Sequence, residues 1–248
     1  MVPSSRRLSL SASKICRRIA APCRQLRHAV AFHHFMRAWT LSVIFSLAFT
    51  LPAAAQSTAP KVGSAQPSAS IDSGTLLTKG ATEWMFTAGA SRGVVVFHSA
   101  GGHRFGLQAI SWGRVLTESH LPGPFRGRFA WAFEALPVFG QYQPTRTYGV
   151  GLSPLVWRWN FQGRARIAPY AELAGGGLWT TEPVPDRTTA ANFTAHAGGG
   201  VRFFVKPHQS LVVSYWFHHI SNGNRLDRNP GVNSHVVQLG FSYARPKT

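Results

Sequence analysis

His219 and Ser221 have the residue types and the spacing of a general base and its nucleophile. They lie at the end of a strand-like segment, in the stretch from Phe217 to Ser234. Successive side chains of a strand alternate between its two faces, so these two project from the same face, within reach of a hydrogen bond. A serine hydroxyl beside an imidazole base can attack an ester carbonyl. Alone, such a pair is weak evidence, because His-x-Ser on a strand more often has a structural role.

The loop after this pair carries groups that could stabilise an oxyanion. Ester hydrolysis needs hydrogen-bond donors for the tetrahedral intermediate as well as a nucleophile and a base. The side chains of Asn222 and Asn229 are candidate donors, and so are the backbone amides near Gly223 and Gly231. The pair and the loop therefore contain each kind of group that the reaction requires.

Two arginines of the same loop, Arg225 and Arg228, predict contact with an anionic head group, since guanidinium groups bind phosphate well. A solvated basic loop explains them equally well. The chain beyond residue 55 has 18 basic and eight acidic side chains, a net charge of +10, but no recognised nucleic-acid motif accompanies that charge. Without cysteines or a tight cluster of histidines and carboxylates in this part, the sequence predicts neither a metal site nor a cofactor.

The first 55 residues have the composition of an export leader: eight of the 26 Lys and Arg, none of the eight Asp and Glu, and both cysteines. Residues 36–55 predict a secretory signal, with Met36-Arg37, an apolar run and Ala53-Ala54-Ala55, and with cleavage after Ala55. Residues 1–35 are either a long basic leader or upstream sequence from a misassigned start. A transit peptide would share the basic composition, but the apolar run argues against it.

The remaining chain divides into a lead-in and one folded domain. Residues 56–80 are predicted to be flexible, because their first part is rich in Ser, Ala, Pro and Gly and has no apolar periodicity. Residues 81–248 are predicted to form a β-barrel domain. Eight strand-like segments are expected in it, near residues 82–91, 103–116, 125–137, 147–160, 166–179, 193–206, 209–221 and 234–244.

Alternation along these segments predicts an all-β fold, an eight-stranded antiparallel transmembrane β-barrel. In the last segment Val237, Leu239 and Phe241 share one face, opposite Gln238 and small residues. A soluble sandwich would show the same alternation. The export signal, the strand lengths and the even count favour the membrane barrel.

An eight-stranded barrel has an interior filled by side chains, so function is expected on its rim or outer wall. If the odd-numbered face of the seventh segment meets lipid, His219 and Ser221 face lipid too, whereas His218 faces the interior. Charged residues on predicted inward faces are assigned a structural role: Glu134 and Glu172, among Arg104, Arg126, Arg128 and Arg202.

The sequence from Phe217 to Tyr243 resembles the lipid A 3-O-deacylase (PagL-type, acyloxyacyl hydrolase) family of outer-membrane barrels. The matching pieces are His219-Ile220-Ser221-Asn222, Asn229-Pro230-Gly231 and Asn233-Ser234. The resemblance implies that Ser221 is the nucleophile, that His219 is the base, and that lipid A in the bacterial outer membrane is the substrate. It also implies an oxyanion asparagine, matched by Asn222 or Asn229.

The third catalytic position departs from the family pattern. The family carries a glutamate twelve residues after the serine, and this chain has Asn233 there. An asparagine oxygen can orient a histidine, but it cannot stabilise the imidazolium by charge. Asp227, an acidic residue of the same segment, is expected to be a surface loop charge rather than a substitute.

Three functional hypotheses remain open from the sequence. The first is a lipid A deacylase, a serine esterase that removes an O-linked acyl chain. The second is a structural or adhesive outer-membrane barrel without turnover, and the third is a soluble lipid-binding barrel. Whether two copies form a homodimer is also left open.

Overall fold

Eight antiparallel strands form a closed barrel in which each strand pairs with its neighbours in chain order and β8 closes onto β1. The computed structural model describes residue 71 and residues 73–247. The predicted leader, the signal segment with its cleavage point and most of the lead-in lie outside the described residues. The elements are α1 Ser73–Leu76, β1 Thr82–Val94, β2 Arg104–Val115, β3 Gly127–Gln143, β4 Thr147–Phe161, β5 Ile167–Thr180, β6 Ala191–Lys206, β7 Gln209–Ser221 and β8 Val232–Arg245.

The prediction of eight strands in an antiparallel barrel is confirmed, and each predicted segment overlaps one observed strand. Following paired residues once around the barrel from Thr82 returns to β1 at Arg92, ten residues further along the strand. This displacement over eight strands tilts each strand by about 40° from the barrel axis. The successive pairs are Thr82–Arg114, Arg114–Trp131, Trp131–Trp157, Trp157–Leu173, Leu173–Ala197, Ala197–Phe217, Phe217–His235 and His235–Arg92.

The outer wall is apolar and the interior is polar, the pattern of a transmembrane barrel. Exposed Val, Leu, Phe, Tyr and Trp side chains cover the outside, for example Leu239 and Phe241 on β8. Inside, the Arg202 and Glu83 side chains form an ion pair with an Nε–Oε1 distance of 2.5 Å, and Arg158 and Glu172 form another at 2.8 Å. Among the described residues, no helix is long and apolar enough to cross a membrane.

The interior positions predicted for the charged residues are confirmed only in part. Glu134, Glu172 and Arg202 are buried as predicted. Arg104 and Arg126 are exposed, so their predicted inward positions were wrong. Arg104 lies on the outward face of β2, and Arg126 precedes β3. Arg128 is half-buried, and its guanidinium donates to the Gly74 carbonyl.

Residues 73–80 pack against the barrel, so the prediction that they belong to the flexible lead-in was wrong. Leu76 and Leu77 are buried in an apolar cluster with Val115, Phe204 and other side chains. The Ser73 backbone amide donates to the Ala165 carbonyl at 2.7 Å, and the Ser73 hydroxyl donates to the Ile167 carbonyl at 3.0 Å. The burial of these two leucines holds the segment against the barrel despite the largely polar composition of residues 56–80. As a result, α1 covers the end of the barrel at which β1 begins.

Candidate active site on the outer wall

The alternation of β7 places His219 and Ser221 on the outer face of the barrel, as the sequence predicted. Outward residues of this strand are exposed or half-buried, and inward residues are buried. His219 and Ser221 are half-buried, whereas His218 and Ile220 are fully buried on the inner face. Ser221 is the last residue of β7, so its hydroxyl lies at the rim while His219 lies two residues below it on the same face.

Asn233 holds the imidazole of His219 in a defined orientation. The two residues are paired across β7 and β8, and His219 Nδ1 lies 2.7 Å from Asn233 Oδ1. Asn233 Nδ2 donates to the Val96 carbonyl at 3.1 Å, which fixes the amide so that its oxygen faces the imidazole. Nδ1 must therefore carry the proton, and Nε2 of neutral His219 is left as the basic nitrogen.

Gly231 lies directly against the imidazole. A Cβ atom at this position would be 2.9 Å from His219 Cε1, and the φ angle of +65° is one that side-chain-bearing residues rarely adopt. The Gly231 carbonyl accepts a hydrogen bond from the Ala100 amide at 2.9 Å. The β1–β2 loop therefore supports the site from a second direction, through Val96 on Asn233 and Ala100 on Gly231.

Asn222 is buried within the β7–β8 loop. Its side chain is 0% exposed. Its amide nitrogen donates to the Arg228 carbonyl at 3.0 Å, and its backbone amide donates to Asn229 Oδ1 at 3.0 Å. These bonds fold the loop back on itself, so the geometry favours a loop-shaping role for Asn222 over direct contact with a substrate on the outer wall.

Asn229 is half-buried at the rim. Its Nδ2 group donates to Asn224 Oδ1 at 2.8 Å, which uses one of its two amide hydrogens. Gly223 and Asn224 both have positive φ angles, +62° and +58°. A Cβ at Gly223 would be 2.8 Å from the ring of Phe193, so the loop turns closely over the side chain that is paired with Ser221.

The two loop arginines differ in their surroundings. Arg225 Nε donates to the Asn222 carbonyl at 2.9 Å, another nitrogen of the same guanidinium donates to the Ala191 carbonyl, and the guanidinium lies 5.2 Å from the Phe193 ring centroid. Arg225 therefore fastens the loop to β6. Arg228 is exposed at the rim, where a ligand can reach it.

The structure brings together His219, Asn233 and Gly231, and it places Ser221 on the same outer face, two residues from His219 along β7. The structure adds two backbone groups to the site, the Val96 carbonyl and the Ala100 amide. They could not be predicted from the sequence, because every residue type has the same backbone carbonyl and nearly every type has the same amide. A further polar pair lies lower on the same wall, where the Tyr215 hydroxyl is 2.6 Å from His235 Nδ1. In the described part of the chain, no group of three or more His, Cys, Asp or Glu residues could hold a metal ion.

The sequence model of the lipid A 3-O-deacylase (PagL) family matches residues 110–242. A search of curated proteins found no match.

Three solved structures are among those similar to this chain. The outer membrane enzyme PagL is 17% identical, with 66% of this chain and 99% of that chain covered and a TM-score of 0.46. Neisserial surface protein A is 15% identical, with 66% and 99% covered and a TM-score of 0.45. Ail, the attachment invasion locus protein of Yersinia pestis, is 12% identical, with 68% and 100% covered and a TM-score of 0.40.

Proposed function

The chain belongs to the lipid A 3-O-deacylase (PagL) family, and from that membership we propose that it is an outer-membrane serine esterase that removes the 3-O-linked acyl chain from lipid A. The observation that carries the proposal is the Asn233–His219 hydrogen bond on the outer wall, beside Ser221. It leaves Nε2 as a base on the face that carries the hydroxyl. The reaction uses protein groups and water alone.

In the proposed reaction the Ser221 hydroxyl attacks the ester carbonyl while its proton passes to His219 Nε2. A new bond forms between Ser221 Oγ and the acyl carbon. The tetrahedral intermediate then collapses, and the sugar oxygen leaves with the proton from His219. Water, deprotonated by the same imidazole, hydrolyses the acyl-serine and releases the fatty acid.

The developing oxyanion is assigned to donors of the β7–β8 loop. The second amide hydrogen of Asn229 is available, and the backbone amides near Gly223 and Gly231 lie in the same loop. The backbone amide of Asn222 is already bonded to Asn229 Oδ1, and its side chain is buried. Asn229 is therefore preferred to Asn222 as the side-chain donor.

The wall below the site is suited to an acyl chain. Phe217 is half-buried and Tyr215 and Val237 are exposed on the outward face of β7 and β8, beneath His219. A chain lying on this surface stays in the hydrocarbon of the membrane, with its ester at the rim where Ser221 lies. Arg228 at the rim is the proposed contact for a phosphate of the head group.

Asn233 gives the site an uncharged orienting group. It fixes the tautomer of His219, which is one task of the carboxylate in a Ser-His-acid triad. It supplies no negative charge to stabilise the imidazolium, so we expect slower turnover than with a carboxylate at this position. The missing carboxylate at this position also favours the alternative function, a structural or adhesive eight-stranded outer-membrane barrel without turnover.

Localisation in the outer membrane follows from the proposed function, and export is assigned to the signal segment 36–55 with cleavage after Ala55.

Mass spectrometry of lipid A tests the proposal. Residues 36–248 are expressed in Gram-negative cells, with Ser221→Ala as the matched variant, and barrel formation is checked by heat-modifiable migration. We expect the loss of one 3-O-linked hydroxyacyl chain only when Ser221 is present. Unchanged lipid A from a folded parent barrel supports the non-catalytic alternative, and equal loss with both proteins overturns the assignment of Ser221.

A further inference from the structure

A row of two arginines and a threonine lies on the outer wall at the end of the barrel opposite Ser221. Thr82, the first residue of β1, is paired with Arg114 on β2 and with Arg245 on β8. Both arginines are exposed on the outward face. Neighbouring strands are about 4.8 Å apart, so the two side chains begin about 10 Å apart, a span that two flexible stems can close onto one phosphate.

An aromatic row lies next to this arginine row, towards the middle of the wall. Trp84 is paired with Trp112 on one side and with Tyr243 on the other. Beyond it, the rings of Phe86 and Phe241 stack with centroids 4.9 Å apart. The wall therefore presents cations, then amphipathic aromatics, then apolar rings, which is the order of phosphate, glycerol ester and acyl chain in a phospholipid.

The positive charge of the arginine row is not neutralised by the protein. Within the part of the chain that the structure describes, neither Arg114 nor Arg245 forms an ion pair with a carboxylate. The neighbouring acid Glu118 lies 3.9 Å from Lys79. Further exposed cations lie at the same end of the barrel: Arg126, Arg164, Arg166, Lys206 and Lys247.

The loops identify the leaflet that this row faces. At the Ser221 end the loops span residues 95–103, 144–146, 181–190 and 222–231, and at the other end they span residues 116–126, 162–166 and 207–208. β1 begins and β8 ends at that second end. Three of the four loops at the Ser221 end have nine or ten residues, whereas at the other end only residues 116–126 form a loop of comparable length. Outer-membrane barrels have longer loops outside and shorter turns in the periplasm. The arginine row therefore faces the periplasmic leaflet, which is made of glycerophospholipids.

We propose that Arg114, Thr82 and Arg245 bind the phosphate of an anionic glycerophospholipid of the phosphatidylglycerol class. The guanidinium groups take the phosphate oxygens, and the Thr82 hydroxyl donates a further hydrogen bond. The acyl chains lie along Phe86 and Phe241. This site is distinct from the deacylase site, and it holds whether or not Ser221 is catalytic.

Native mass spectrometry of the full barrel, released from detergent micelles, tests the site. The protein is titrated with phosphatidylglycerol, with phosphatidylethanolamine and with sodium phosphate. We expect the Arg114→Gln/Arg245→Gln variant to bind phosphatidylglycerol about tenfold or more weakly than the parent, since charge-assisted hydrogen bonds are lost. The matched control, Arg164→Gln/Arg166→Gln, removes two charges from the same rim and should bind as the parent does.

The binding measurements distinguish a specific phospholipid site from general attraction of anionic lipid to the basic rim of the barrel. Equal weakening in the two double variants overturns the proposal, as does equal binding of the two phospholipids by the parent. If millimolar sodium phosphate displaced the lipid, the arginine row would be a binding site for free phosphate, and the phospholipid proposal would be overturned. If the double variant does not fold, the single variants are measured, and unchanged binding by both overturns the site. Lipid A deacylation by the folded Arg114→Gln/Arg245→Gln variant should equal that of the parent.

Discussion

His218 and His219 are neighbours in the chain, yet they lie beside two different polar networks on opposite faces of β7. His218 is 2% exposed and lies in the interior with its ring centroid 5.7 Å from that of Phe105 and 6.1 Å from that of His196. His219 is half-buried on the outer wall and is hydrogen-bonded to Asn233. A single-residue step along a strand therefore separates a packed histidine from one that can meet a substrate.

The two networks differ in the kind of contact that holds their members. Inside, Arg202 and Arg158 are both paired with Glu83, and His196 stacks on Trp216 with centroids 3.8 Å apart. Outside, Asn233 is the hydrogen-bond partner of His219 Nδ1, and the imidazole lies on the half-buried outer face. Breaking a buried ion pair destabilises a barrel filled by side chains, whereas an available base and hydroxyl permit chemistry. Substitutions in the two networks should therefore affect different measurements.

Replacing His219 should have the largest effect on activity. We expect His219→Gln to lower kcat for lipid A deacylation by about 10³, because the general base is lost. His218→Gln is the matched control, one residue away on the inner face, and its folded barrel should turn over at close to the parental rate. Rates are measured on purified folded protein. Equal losses in both variants would mean that the network on the outer face has no special part in catalysis.

Replacing Glu83 should have the largest effect on stability. Glu83→Gln leaves the buried Arg202 without its ionic partner, and we expect a loss of about 3–5 kcal/mol in the free energy of unfolding. Glu118→Gln, at an exposed pair, should change it by less than about 1 kcal/mol. Urea titration of refolded barrels in micelles gives both values. If Glu83→Gln kept the parental stability but had a lower kcat, the result would contradict our claim that interior substitutions affect stability and outer-wall substitutions affect activity.

Changes at Asn233 should have intermediate effects on turnover. Asn233→Ala removes the hydrogen bond that orients His219, and we expect kcat to fall about tenfold. Asn233→Glu places a carboxylate beside the imidazole, and we expect kcat to rise with little change in KM, because the charge stabilises the imidazolium. No change in either variant would show that Asn233 does not orient the base.

Removing the charge of Arg228 should have the smallest effect. We expect Arg228→Gln to raise KM for lipid A about threefold and to leave the hydrolysis of an uncharged ester unaltered, since an exposed cation contributes about 1 kcal/mol or less. Arg187→Gln removes an exposed arginine from another loop at the same end and should leave KM unchanged. Equal effects of both changes would indicate general electrostatic attraction.

The alternation of apolar and polar residues was sufficient to predict the eight strands, the closed barrel and the outward direction of His219 and Ser221. The two-residue alternation along the strands does not predict which loop groups contact the site. The Val96 carbonyl that fixes Asn233, the burial of Asn222 and the use of Arg225 to fasten the loop all depend on how the chain folds between strands. The packing of Leu76 and Leu77 was missed for a related reason, because two leucines are too few to show a period.

The reactivity of Ser221 tests the central claim most directly. The folded barrel in detergent is treated with a fluorophosphonate esterase probe, and the labelled peptide is located by mass spectrometry. We predict labelling at Ser221 in the parent and in His218→Gln, a large decrease in His219→Gln, and none in Ser221→Ala. Labelling that is absent from the parent, or that is equal in His218→Gln and His219→Gln, would contradict an activated serine on the outer wall.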